Sequence, residues 1–487
     1  MRRPADDGKG VHGSGGVRVV RAPREAGVSC FLVLFSATSS RRHRARLRHL
    51  APAQAIATGF GLALAVGTSL LWLPISNAEG EFTDPVDAVF TATSALCVTG
   101  LTVVDTAAHW SPFGLVVILV LIHLGGLGIM LFASLVGIVL ARKLSVRSRL
   151  NAVAEAKADG MGDVRRLAWG IFVTSIAIEG VVAVLLFVRF VVGYGSSAGE
   201  AAWLAVFHAV SSFNNAGFAL YSDNLMSFVG DPWICLPLCA AIILGGLGFP
   251  VLRQLRREIG RPLHWTMNTR IVLAGTVVLL VLGTVYITVI EWENPGTLGA
   301  FDPATRILAG FFHAVQVRTA GFNSLDIGQM HDETWLGMDV LMFIGAGPAG
   351  TAGGIKITTF AVLLFILWTE LRGGTAVNVF GKRLSRAVHR EAISVVLMAI
   401  AAVMAGVIAI LTMTELDLDA VLFEAVSAFA TVGLSTGITA DLPDAAKLIL
   451  AALMFLGRIG PLTLGSALAL RERRVSYELP KERPAIG

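Results

Sequence analysis

The chain has 487 residues, 55% of them hydrophobic and only 15% charged, with a mean hydropathy of +0.72. Soluble domains sit near half apolar and about a quarter charged, so a soluble enzyme, a secreted disulfide scaffold and a disordered protein are excluded. The formal charge of +5 invites a nucleic-acid partner, and the placement of the basic residues removes that reading as well.

In chain order, residues 1–50 carry eleven Lys and Arg and one short apolar run, Ala26 to Thr38. That run is too short to cross a hydrocarbon core of roughly 30 Å as a helix. Signal-peptide cleavage there would leave the basic stretch 41–50 outside, against the charge rule. The segment is read as a cytoplasmic tail, with the anionic inner leaflet as a surface to lie on.

Eight apolar segments follow, at roughly 51–74, 113–141, 167–192, 232–252, 271–290, 334–369, 392–413 and 446–470. They fall into four pairs, each followed by a basic stretch. Segments 1–50, 139–168, 253–270, 370–391 and 471–487 hold 33 of the 39 Lys and Arg. The six others are Arg189, Arg306, Arg318, Lys356, Lys447 and Arg458. Basic residues collect on the cytoplasmic side of membrane proteins. The excess therefore encodes topology: a multi-pass chain with both termini cytoplasmic. The four cysteines form no framework, and Cys235 and Cys239, one helical turn apart in an apolar span, read as packing residues.

Between the members of each pair lies a half-polar stretch: FTATSALCVTGL (90–101), FHAVSSFNNAGF (207–218), FHAVQVRTAGF (312–322) and FEAVSAFATVGL (423–434). Phe90, Phe207 and Phe423 stand ten residues before Gly100, Gly217 and Gly433, while Phe312 to Gly321 is one residue shorter. Four copies of one segment point to internal repetition. Each copy reads as a half-helix that dips into the membrane and leads to a glycine. Non-helical backbone at that depth survives only where it is buried in protein or lines a cavity. Glycine permits the angles that turn consecutive carbonyls the same way, and the negative C-terminal ends of four half-helices favour a cation. The candidate filter oxygens belong to Val98, Thr99, Gly100, Asn215, Ala216, Gly217, Thr319, Ala320, Gly321, Thr431, Val432 and Gly433. Such a ring replaces the hydration shell of a monovalent cation, as in potassium channels.

The sixth span contains IGAGPAGTAGGIK (344–356), with Gly345, Gly347, Gly350, Gly353, Gly354 and Pro348. At about 1 kcal/mol per glycine and about 3 per proline no helix continues through it, so two half-helices joined by a loop are expected. The G-x-G-x-x-G match inside it lacks a βαβ setting and is not a dinucleotide site.

Arg458 lies in the last span, where an arginine costs roughly 2.5–3.5 kcal/mol to insert and usually pairs. A carboxylate and loop carbonyls are both open as its partners. Arg318 is expected to brace the third segment through backbone carbonyls, and Asn214 and Asn215 the second. Asp84, Asp87 and Asp105 flank the first segment, either concentrating cations at the mouth or simply solvating the surface. The GGLG motifs at 125–128 and 245–248 read as close-packing sites within helices. His123, His208 and His313 lack metal-ligand spacing and read as packing or bracing residues.

With TATSALCVTGLTVVDT, FHAVSSFNNAGF, VRTAGFNS and FEAVSAFATVGLSTG in this order, the chain resembles the Trk/Ktr/HKT superfamily of potassium transporters, most of all its Ktr-type pore subunit. The likeness runs from about Pro52 to Arg471. It implies an all-α integral membrane fold of four tandem helix–pore loop–helix repeats, eight transmembrane helices in all, in pseudo-fourfold arrangement around a central pore. The expected boundaries are a tail 1–50, repeats at 51–141, 165–257, 269–372 and 390–471, and a C-terminal tail 472–487.

The resemblance further implies that loop 345–356 is the gate below the filter, with Lys356 at the pore or cytoplasmic mouth and Arg458 meeting the loop. Gly100 points to potassium, where sodium-permeable members carry serine; Cys97 departs from the family's usual threonine. A homodimer, a separate nucleotide-binding RCK-type regulatory subunit docked on the basic loops, and a plasma-membrane location are implied likewise.

The function expected is potassium uptake, with sodium dependence left open. A sodium-permeable or non-selective cation transporter of the same fold is the alternative. A solute carrier would need two related halves rather than four quarters. A membrane enzyme or receptor finds no paired carboxylates, HExxH or nucleophile elbow in a plausible setting. The ion is cargo, potassium or sodium, and no organic cofactor is expected.

Overall fold

The computed structural model describes residues 52–143 and 160–460, with side chains over 58–131 and 166–460. The expected tails 1–50 and 472–487, and the end of the eighth span beyond Gly460, lie outside the described residues.

The described chain is mostly helical. In order come α1 (Pro52–Trp72), α2 (Pro85–Cys97), α3 (Pro112–Lys143), α4 (Gly160–Tyr194), α5 (Ala198–Phe213), α6 (Pro232–Leu247) and α7 (Phe249–Glu258). Then follow α8 (Met267–Glu291), α9 (Pro303–Gln316), α10 (Asp332–Phe343), α11 (Ile357–Leu371), α12 (Arg386–Leu411), α13 (Leu418–Ala430) and α14 (Asp444–Ile459). A small antiparallel hairpin, β1 (Asn378–Val379) with β2 (Lys382–Arg383), precedes α12.

Among the described residues, four helices are long and apolar enough to cross a membrane: Pro112–Leu131, Arg166–Tyr194, Met267–Glu291 and Arg386–Leu411. They turn apolar stripes outward. Val181, Val184, Val188 and Val192 on α4, and Val277, Val281, Val285 and Val289 on α8, are all exposed. A soluble monomer does not carry stripes of this extent; lipid is their natural solvent.

The span expected at 232–252 is not one helix. It bends by 99° between α6 and α7, at Gly248, whose φ of +88° only glycine adopts freely. Pro250, lacking an amide hydrogen, stands at the start of α7 and bars a continuous ladder. The second GGLG motif therefore ends a helix rather than sitting within one. The span expected at 334–369 is broken between Phe343 and Ile357, where the glycine-rich loop intervenes.

The short helices α2, α5, α9 and α13 are the innermost elements. Their N-termini are capped by Asp84, Ser197 and Asp302 side chains, while Asp417 at α13 makes no cap bond. Hydrogen bonds from Thr305 hold the Asp302 carboxyl below its usual range. The inner ends of α2, α5 and α13 rest on glycines of the helices behind them. A side-chain carbon added at Gly125 would meet the Leu96 carbonyl oxygen, at Gly245 that of Phe213, and at Gly457 that of Phe429. Leu96, Phe213 and Phe429 each stand six residues after the phenylalanine that opens its segment. The missing side chain is what lets the helix end approach.

This approach makes a prediction. Gly125→Ala and Gly457→Ala force backbone apart and should cost on the order of 1–3 kcal/mol. Thermal unfolding of the purified protein should fall in both and remain unchanged in Gly61→Ala, which has open space around it.

Candidate functional site

The extended segments after α2, α5, α9 and α13 share one backbone plan. Val98, Asn215, Thr319 and Thr431 adopt left-handed φ values of 56°, 60°, 70° and 53°. Two residues later Gly100, Gly217, Gly321 and Gly433 do so again, at 95°, 69°, 81° and 96°. Non-glycine residues in this region are uncommon, and such strain gathers at functional sites. Here it recurs at corresponding positions of four segments. Phe90, Phe207, Phe312 and Phe423 are fully buried behind them.

The residue four places after each phenylalanine holds its segment. The carbonyls of Ser94, Ser211, Gln316 and Ser427 accept the N–H groups of Thr99, Ala216, Ala320 and Val432 at 2.8, 2.8, 3.0 and 2.8 Å. Their side chains then reach further. Ser94 Oγ accepts from Gly100 N–H at 3.0 Å and Ser427 Oγ from Gly433 N–H at 3.1 Å. Ser211 Oγ donates to the Phe218 carbonyl at 2.8 Å. In the third segment, one residue shorter, Gln316 Oε1 accepts from Phe322 N–H at 3.2 Å. Sequence reasoning missed this role, although the shared spacing from the phenylalanine carried the signal.

The four glycines face one another in sequence order. A side-chain carbon built on Gly100 would meet the Ala216 oxygen, and one on Gly217 would lie 2.6 Å from the Ala320 oxygen. One on Gly321 would meet the Val432 oxygen, and one on Gly433 the Thr99 oxygen. The cycle closes. Every one of the twelve residues singled out from the sequence lies in these segments. The hydroxyls of Thr99, Thr319 and Thr431 are buried without a protein hydrogen-bond partner among the described residues.

Beyond the glycines opens a cavity of about 360 Å³ lined by Gly100, Gly217, Gly433, Asp105, Asp223 and Asp326, among others. Of the three aspartates expected at the mouth, only Asp105 lines this cavity, and its carboxylate caps a one-turn helix through Ala107 and Ala108 N–H. Asp84 caps α2. Asp87 pairs with Lys447 at 3.1 Å.

On the opposite side lies the glycine-rich loop. Its neck is closed by Gly345 N–H to the Ile355 carbonyl at 2.8 Å and Ile357 N–H to that of Ala346 at 3.1 Å. Its body is fastened to the end of α6. Gly347 N–H donates to Gly246 at 2.9 Å, Thr351 N–H to Gly245 at 3.1 Å, and Phe249 N–H to Ala349 at 3.1 Å. Carbons added at Gly347 and Gly350 would run into carbonyls of α6, and one at Gly353 into the Thr431 side chain. Gly354, at φ +60°, abuts Ala430. Thr351 Oγ1 donates to Asn215 Oδ1 at 2.8 Å, tying the loop to the second segment.

Arg458 is buried and its partners are carbonyls. Nη1 donates to Thr351 of the loop, and Nη2 to Gly125 of α3 at 3.0 Å. Lys356 folds back on the loop, Nζ donating to Ala352 and Gly353 carbonyls at 2.6 and 2.9 Å. Arg318 departs from expectation: its recorded partner is the Thr276 hydroxyl of α8 at 3.3 Å, not a backbone carbonyl. Asn214 Nδ2 donates to the Val210 carbonyl of its own segment at 2.9 Å and also to Glu179 of α4 at 3.1 Å. His208 braces its own segment, accepting from Leu220 N–H at 3.3 Å. Cys235 and Cys239 are buried free thiols.

The TrkH family, described as cation transport protein, matches residues 24–472. The chain is 41% identical over 422 residues to the Ktr system potassium uptake protein B of Bacillus subtilis, covering 87% of this chain and 94% of that one. It is 35% identical over 447 residues to the potassium/sodium uptake protein NtpJ of Enterococcus hirae, covering 90% and 98%. The crystal structure of the potassium transporter TrkH from Vibrio parahaemolyticus superposes with a TM-score of 0.68 at 18% identity, over 85% of this chain and 84% of that one. At that identity the match speaks for the fold.

The bracing residues give a direct test. Ser94→Ala with Ser427→Ala leaves two buried glycine N–H groups unbonded, at about 1–3 kcal/mol each. The melting temperature should drop by more than for Ser69→Ala, at an exposed serine. An unchanged melting temperature would mean that these hydroxyls hold nothing.

Proposed function

The chain belongs to the TrkH family of cation transport proteins, and from that premise we propose that it takes up potassium through the four extended segments. The closed cycle of glycines carries this reading. Left-handed backbone alternates with the intervening residue in each segment, and this alternation turns successive carbonyls toward one axis. The oxygens of Val98, Thr99, Asn215, Ala216, Thr319, Ala320, Thr431 and Val432, with those of the four glycines, then replace the water around a stripped cation. The inner ends of α2, α5, α9 and α13 add their partial negative charge. Four repeats at 51–141, 165–257, 269–372 and 390–471 in pseudo-fourfold arrangement, with eight crossings and both termini cytoplasmic, are the architecture this reading requires.

The glycine-rich loop 345–356 is the gate in this proposal. It sits against Asn215 and Thr431 on the side away from the cavity and is latched by Arg458. Opening requires the loop to leave the end of α6 and the arginine to give up a carbonyl. Lys356, bonded to the loop itself, travels with it. The membrane potential drives entry with about 2.3 kcal/mol per charge per 100 mV. A second copy of the chain and a separate cytoplasmic nucleotide-binding subunit complete the system, as the relatives named for a Ktr system suggest. Sodium permeation is the second reading, favoured by the relative named for potassium and sodium together.

Two outcomes are expected in proteoliposomes. Gly100→Ser places a side chain against the Ala216 oxygen and should cut potassium-over-sodium discrimination by roughly tenfold, the scale of one lost contact of about 1–2 kcal/mol. Unchanged discrimination would refute the assignment of the first segment. Arg458→Gln removes a charged latch worth about 1.5–3 kcal/mol and should raise potassium flux by roughly tenfold. Saturable uptake of an organic solute without cation flux would replace the whole proposal by a carrier.

A further inference from the structure

The helix after the bend has no part in the filter, yet it touches the loop. α7 leaves α6 at 99°, so if α6 crosses the membrane, α7 runs along its surface. Its depth is marked by a neighbour: Gly170 of α4 lies against the Phe249 ring, and the adjoining Trp169 is 65% exposed. Exposed tryptophans concentrate at the membrane interface.

One face of α7 is already occupied. Val251 is buried, and Leu252 and Leu255 pack beside it, against Val272 of α8 and against Ile344 and Ile357. The last two flank the glycine-rich loop on either side. The other face carries Arg253, Arg256 and Arg257, all exposed, with Arg261 exposed just beyond. In the same turn Ile259 and Leu263 are 75% and 86% exposed. Charged groups above and bare apolar side chains beside them form the pattern of a segment lying in the headgroup layer. The turn is held rigid: Trp265 Nε1 donates to the Glu258 carbonyl at 2.9 Å, and Thr269 Oγ1 to Gln254 Oε1 at 2.6 Å.

We propose that α7 binds anionic phospholipid headgroups of the cytoplasmic leaflet through Arg253, Arg256, Arg257 and Arg261, and that this binding keeps the glycine-rich loop docked. The lever is short. A carbon on Gly248 would run into the Pro348 oxygen, and the next residue, Phe249, bonds the Ala349 carbonyl. Lipid that fixes α7 against α8 favours the state in which these contacts exist. Each arginine near an anionic surface is worth about a fivefold change in binding. The flux arm rests on the transport reading above; the lipid-retention arm does not.

The test uses the full chain with all four arginines changed to Gln, and a second variant with all four changed to Lys. Native mass spectrometry counts phosphatidylglycerol retained from detergent, and potassium flux is measured in phosphatidylcholine vesicles with and without phosphatidylglycerol. Wild type and the Lys variant should retain the lipid and conduct several-fold less when it is present. The Gln variant should lose both effects while matching wild type in phosphatidylcholine alone. Equal retention in wild type and the Gln variant overturns the inference, as does an undiminished lipid effect on flux. A Gln variant that keeps its lipid but loses only its response to an added cytoplasmic regulatory subunit assigns the arginines to a protein, and the inference falls. Retention without flux in any vesicle supports the lipid site and sinks the transport reading instead.

Discussion

Peptide groups freed from a helix inside a membrane have no water to bond, and each one left unpaired costs several kcal/mol. The structure is organised around that constraint. Four extended segments and one glycine-rich loop leave the helical ladder, and each has its groups taken up locally. The residue four places after each phenylalanine serves its segment twice, through its carbonyl and its side chain. The loop finds its partners in the last carbonyls of α6, which a helix end leaves free in any case. In the proposed filter, the groups that remain unbonded meet the ion.

The same economy governs charge. The six basic residues outside the five basic stretches all have protein partners. Arg189 meets Asp231 at 2.7 Å and Lys447 meets Asp87 at 3.1 Å. Arg306, Lys356 and Arg458 bond carbonyls, and Arg318 a hydroxyl. A cation buried without a partner would be costly and would repel the cargo. Pairing with neutral carbonyls leaves Arg458 its positive charge while anchoring it, as the proposed latch requires.

The sequence made the short-range features plain. The phenylalanine-to-glycine spacing, ten residues in three copies and one shorter in the third, located all four extended segments, and glycine density located the break between α10 and α11. Arg458 stood out because an arginine among apolar residues demands a partner, although the choice between carboxylate and carbonyl was open. What escaped depends on contacts distant in the chain. Asp87 and Lys447 are 360 positions apart, and nothing local marks them as a pair rather than surface charges. Arg318 turned to Thr276 because α8 passes beside it, a neighbour no spacing reveals. The bend at Gly248 was hidden because the apolar run continues through it. Hydropathy registers composition, while the left-handed backbone and the following proline set direction.

The third segment is one residue shorter than its companions and carries a glutamine where they carry serine. The longer amide accepts from Phe322 N–H, whereas Ser94 and Ser427 take their glycine N–H and Ser211 donates to the Phe218 carbonyl. The longer side chain thus accompanies the shorter segment. A ring assembled from four identical copies would match each site by symmetry; this one matches by correlated irregularity. In the proposed filter the third wall is therefore braced by an amide where the other three use hydroxyls.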